Sequence, residues 1–121
     1  MSFRVVRPED REQGDPTAGM VREEAIVADG FWSGFVRTPP HSSSGWHHHG
    51  DNRTAVYVLQ GVFRVEFGDD GTEAIDARAG DFVFVPPGRV HRETNPGDEE
   101  SRLVVFRAGT GPPTVNVEGP E

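Results

Sequence analysis

Five histidines lie in the middle of this 121-residue chain, and four of them fall into two groups. The first group, Gly45-Trp46-His47-His48-His49, leads into the apolar run Ala55-Val56-Tyr57-Val58-Leu59-Gln60-Gly61. The second, Gly80-Asp81-Phe82-Val83-Phe84-Val85-Pro86-Pro87-Gly88-Arg89-Val90-His91, is closed by Asn95. A neutral imidazole offers one lone pair near neutral pH and is the commonest side-chain ligand for a divalent transition metal. Residues two apart on a strand face the same side, so His47 and His49 can converge on one ion while His48 turns away. His91, from a distant strand, would complete a facial set of three. Imidazole suits Fe, Zn, Ni, Mn and Cu alike, so one divalent transition metal is expected and its identity stays open.

Written as spacings, the chain reads His47-x-His49, Thr54, Gly61, then Gly80-x5-Pro86-x-Gly88-x2-His91-x3-Asn95. This resembles the two motifs of the cupin superfamily over roughly residues 30–108. The second motif matches at every defining position. The first departs at two: its opening glycine is His41 here and its glutamate is Thr54. The resemblance implies an all-β double-stranded β-helix, a jelly-roll barrel, in a small single-domain metal-binding protein. It also implies that the family's histidine ligands fall on His47, His49 and His91.

The departure at Thr54 bears on the chemistry. Three neutral imidazoles leave an M(II) centre near +2, where an added carboxylate would leave it near +1, and they leave more positions for water, dioxygen or a chelating substrate. The favoured reading is a three-histidine site, with Thr54 hydrogen-bonding a metal-bound water. A substitute carboxylate is the alternative: Glu93, on the face of His91 if that stretch is extended, or Asp51 in the loop. Trp46, Arg53 and Arg89 flank the two motifs and are candidates for substrate binding, the arginines as bidentate clamps for a carboxylate. His48 reads as an outward residue and His41 as an exposed loop residue with a pocket-mouth acid–base role as the alternative.

Composition narrows the functions. Twenty acidic against twelve basic residues give a net charge of −8, which argues against nucleic acid or an anionic membrane as partner. No apolar run approaches the ~18 residues that span a bilayer. The first residues lack a signal-peptide core, so a cytoplasmic location is expected. Cysteine and lysine are both absent, which removes thiolate nucleophiles, disulfides, Schiff-base lysines and the P-loop lysine. No Gly-x-Ser-x-Gly elbow supports a serine hydrolase. Three functions remain: an M(II)-dependent dioxygenase acting on a small chelating substrate, ranked first; a non-redox isomerase, lyase or cyclase using the ion as a Lewis acid; and a non-catalytic ligand-binding domain.

The elements that must position these residues are short strands. Apolar runs recur every 8–12 residues or so between turn signals, the pattern of a sandwich or barrel. Phe63, Val65 and Phe67 alternate with polar neighbours, and Asp69-Asp70-Gly71 marks a hairpin turn. Asp81–Val85 and Ser101–Phe106 read as strands buried on both faces, and most phenylalanines as barrel filling. Fifteen glycines and ten prolines leave little room for a long helix. The barrel core is placed at about residues 22–108, with an N-terminal arm over 1–21 and a C-terminal arm over 109–121. Either arm could cross to a second subunit, and a homodimer is expected.

Overall fold

The computed structural model describes residues 2–14, 17–112 and 114–120. Met1, Asp15 and Pro16 of the N-terminal arm, and Pro113 and Glu121 of the C-terminal arm, lie outside the described residues. After a 3-10 turn at Pro8–Asp10, the described residues form strands β1 (Glu12–Gln13), β2 (Val21–Ala28), β3 (Phe31–Thr38), β4 (His47–His48), β5 (Arg53–Gln60), β6 (Val62–Phe67), β7 (Glu73–Arg78), β8 (Phe82–Val85), β9 (Arg92–Thr94), β10 (Ser101–Ala108) and β11 (Val115–Asn116). Two sheets face each other, as the double-stranded β-helix requires. One is six-stranded in the order β1-β2-β3-β10-β5-β8, and every pairing in it is antiparallel. The other is built from β7-β6-β9 and the β11-β4 pair, joined by bridges between Ser43 and Thr94 and between His47 and His91.

Local sequence accounts for the turns. Asp29-Gly30 joins β2 to β3, with Gly30 at φ 70°, the pairing a two-residue hairpin favours. Asp69-Asp70-Gly71 does the same between β6 and β7, where the Asp70 carboxylate accepts hydrogen bonds from the Thr72 backbone and hydroxyl. At the β5–β6 corner, Gly61 has φ 80° and lies so close to the Ser101 backbone that a Cβ would crowd it.

Alternation then sorts the side chains. Val36, Val56, Val58, Leu103, Val105, Phe63, Val65, Ala77, Val83 and Val85 are buried and form one core between the sheets. A row further along the six-stranded sheet is more polar: Trp32, Arg107, Thr54 and Val85 are register neighbours across β3, β10, β5 and β8. Two expectations are corrected here. Neither β8 nor β10 is buried on both faces. Phe82 and Phe84 point outward, 74% and 61% exposed, and Arg102 and Phe106 are exposed on β10. Continuous apolar runs look two-sided in a sequence, yet in this chain one side of each faces out. The C-terminal arm returns to its own chain, with Val115 opposite His48 and Asn116 opposite His47. Among the described residues no helix is long and apolar enough to cross a membrane.

Candidate metal centre

The two histidine groups meet because the segments carrying them are paired antiparallel. The backbone of His47 donates to His91 O at 3.0 Å and accepts from His91 N at 2.9 Å. Directly opposed residues project their side chains to the same face of a sheet, here into the barrel. His49 and Glu93 lie two residues beyond His47 and His91 respectively, so parity places both on that face as well. One donor atom from each of His47, His49, His91 and Glu93 lies within 4.8 Å of the others, and all four residues are buried. Ring centroids are 4.5–5.2 Å apart.

Hydrogen bonds decide which nitrogens face the centre. His47 Nδ1 lies 2.9 Å from Gly45 O, and His91 Nδ1 lies 2.9 Å from Arg89 O. A carbonyl only accepts, so each Nδ1 carries the proton and each Nε2 keeps its lone pair. Those Nε2 atoms are buried without a hydrogen-bond partner. They face the Glu93 carboxylate at 3.8 Å from His47 and 3.4 Å from His91. Buried orphan acceptors beside a carboxylate are costly unless a cation satisfies them together. The donor set fits one divalent transition metal.

Within the cluster the carboxyl and the imidazoles also act on each other's protonation. Burial pushes the Glu93 carboxyl up, but the His47 and His91 imidazoles outweigh it and hold the group well below the usual carboxylate range. Burial also disfavours protonation of His91. The nearby Glu93 carboxylate overcomes it and raises the imidazole pKa, while the positive charge of Arg107 works in the opposite sense.

The geometry gathers four donors, not three, and the fourth is Glu93. Asp51 does not belong to the cluster. Thr54 is buried with an unpartnered hydroxyl on the inner face of β5. Asp51 is exposed in the turn after His49. His48 turns away, its Nδ1 accepting from Gly50 N–H at 2.9 Å. His41 is exposed, 3.0 Å from Asp98. Trp46 lies under the Arg92 guanidinium, 4.8 Å from its ring, and so close to Gly119 that any side chain there would collide with it. It clamps the C-terminal arm. Arg53 is exposed at the start of β5.

Arg89 behaves differently. Together with His91 it lines a cavity of about 230 Å³ walled by Val65, Phe67, Val83 and Val85, with Ile75, Phe84 and Pro86 completing the lining. The cavity thus shares one residue, His91, with the cluster.

Some supporting residues carry no motif signal. Ser44 Oγ accepts the Glu93 N–H at 2.9 Å and itself donates to Gly45 O. Asn52 is buried and donates to His49 O at 3.0 Å and Pro112 O at 3.2 Å, tying the histidine turn to the C-terminal arm. Arg107 is buried and stacks 4.6 Å from the Trp32 ring. Its inward parity on β10 was the one readable clue.

The family model for the cupin domain matches residues 34–107. SchB of Streptomyces halstedii is 34% identical over 104 residues, covering 86% of this chain and 72% of SchB. The polyketide synthase CurC of Streptomyces cyaneus is 28% identical over 103 residues, 85% of this chain; the chain spans 65% of CurC, less than two thirds of its length. The solved structure of the polyketide cyclase RemF from Streptomyces resistomycificus matches with a TM-score of 0.73 at 23% identity, over 97% of this chain and 86% of RemF. That last likeness is one of fold.

Proposed function

This chain belongs to the cupin family, and from that premise we propose that it is a metal-dependent, non-redox cyclase acting on an enolisable polycarbonyl compound of the polyketide type. The observation that carries this reading is the buried His47, His49, His91 and Glu93 cluster, one member of which, His91, also lines an apolar cavity. A divalent ion held there would supply a Lewis acid that eases deprotonation beside a bound carbonyl. Glu93 brings one negative charge, so the loaded centre is near +1 and not the +2 of three imidazoles alone. The carbonyls of Gly45 and Arg89 fix the His47 and His91 rings, so the donors need no reorganisation when a ligand arrives. Val65, Phe67, Val83 and Val85 exclude water and hold a flexible chain in a folded, reactive shape.

The names of two relatives support the substrate class: CurC is a polyketide synthase and RemF a polyketide cyclase. Oxygen-dependent oxidation, the reading ranked first for a three-histidine site, is the competing outcome of the test. Zinc- and iron-loaded protein are each given an aryl 1,3,5-triketone, in air and under argon, and the product mass is followed. Ring closure leaves the mass unchanged or lower by one water, and the zinc form should achieve it under argon. Conversion by the iron form alone, in air and with oxygen uptake, would replace this reading with a dioxygenase.

A further inference from the structure

We propose that Arg89 determines specificity at this site: the ligand is an apolar ring system bearing an ionised acid group, which pairs with the Arg89 guanidinium at the cavity mouth. This rests on the cavity being the substrate site, as proposed above, and adds the charge the substrate must carry.

The cavity's lining is of two chemical kinds. Its walls are aliphatic and aromatic, and its polar lining residues are His91 and Arg89. Ile75 and Phe84 also line it and are exposed, so its rim is apolar too. An apolar ring is what such walls recognise, and a guanidinium among them has one favourable use, which is to meet an anion.

Arg89 is also an arginine with capacity to spare, a property that the exposed Arg53 shares without lining this cavity. Arg4, Arg11, Arg37, Arg64, Arg92 and Arg102 each bond or pair with a protein oxygen. Among the described residues the exposed Arg89 guanidinium makes no hydrogen bond and no ion pair. Asp69 and Glu118 border a neighbouring recess with it but stand outside ion-pair distance.

Its backbone, in contrast, is held firmly. The Arg89 carbonyl accepts from His91 Nδ1 at 2.9 Å, and the preceding Gly88 N–H donates to Gly50 O in the histidine loop at 2.8 Å. The segment that carries the cation is therefore tied to an imidazole of the cluster and to the loop that carries the others. A ligand touching both His91 and Arg89 meets two groups carried by one anchored segment. In a chain of net charge −8, one unpaired cation at the mouth also offsets the repulsion an anionic ligand would otherwise meet.

Two probes test the idea. 2,3-Dihydroxynaphthalene is neutral, with a chelating oxygen pair on an apolar ring. Its 6-sulfonate adds one remote anion. Dissociation constants for both are measured by calorimetry on the zinc-loaded full chain, wild type and Arg89→Gln. Wild type should hold the sulfonate about threefold to tenfold more tightly than the neutral diol, with the advantage shrinking as salt rises. In Arg89→Gln the ratio should fall to about one, and in Arg89→Glu below one. An unchanged ratio in Arg89→Gln, or no preference in wild type, overturns the role of Arg89 while leaving the cavity as the site. If neither probe binds, the cavity is not the substrate site and both proposals fall.

Discussion

Glu93 owes its place in the cluster to three separate constraints. Its backbone N–H is bonded to Ser44 Oγ and its carbonyl accepts from Ser44 N. It stands two residues after His91, on the same face. Its carboxylate stands beside the His47 and His91 Nε2 atoms, which have no hydrogen-bond partner among the described residues and which a shared cation would satisfy together with it. Losing any member should cost metal affinity. His47→Ala and His91→Ala should each weaken zinc binding by at least 10–100-fold, the loss typical when a mere supporting partner of a ligand is removed. Glu93→Gln keeps the shape but removes the charge, and should also weaken binding. Dialysis against a competing chelator, followed by metal analysis, measures all three; stoichiometric zinc in both alanine variants would remove the metal centre from the account. The histidines themselves were legible, because four clustered imidazoles with a one-residue gap between two of them leave few other readings. The fourth donor was legible only as an alternative. Whether Glu93 joins depends on the antiparallel register of His47 against His91, and long-range register is not written in either segment alone.

The ladder between residues 41–47 and 91–95 is the element that assembles the site, and it begins at a strained point. His41 has φ 58°, the one non-glycine residue in the left-handed region among those described. Its N–H bonds to Asn95 O, and the Asn95 side chain donates to Thr38 O and Glu99 O, so the backbone there has no freedom to relax. This is the position where the family motif has glycine, and the turn has kept the backbone shape that glycine suits. The exposed contact of His41 with Asp98 contributes little in compensation. Substitutions at 41 should therefore rank with Gly the most stable and Val the least, separated by about 1–2 kcal/mol in urea unfolding. A valine variant as stable as the glycine one would show that this turn imposes no strain. Strand positions were legible from alternation and turn residues, but the faces of β8 and β10 were not. An apolar run such as Phe82-Val83-Phe84-Val85 does not reveal whether a second layer covers its outer side.

At the scale of the molecule, the question is what meets that outer side. Phe82, Tyr57, Val104 and Phe35 form one register row across four strands of the six-stranded sheet, and Phe84, Ala55 and Phe106 begin the next. Phe82 and Tyr57 stack at 4.7 Å between centroids. Leu59, Phe82, Phe84 and Phe106 are all exposed, with β8 at the sheet's edge. A contiguous apolar surface of this kind on a strongly acidic chain is unfavourable in water and marks a place of association. The C-terminal arm is already committed to β4, which leaves the sheet face as the surface through which two copies would meet. Face-to-face pairing about a two-fold axis lets the same patch serve both partners. The protein should therefore elute at twice the 13.3 kDa chain mass at micromolar concentration. Phe82→Asp combined with Phe84→Asp should shift it toward one chain mass. Both side chains point away from the core, so circular dichroism should report an intact fold in the variant. Light scattering that returned a monomer for the wild type, or a dimer undisturbed by both aspartates, would place the apolar face outside any self-association.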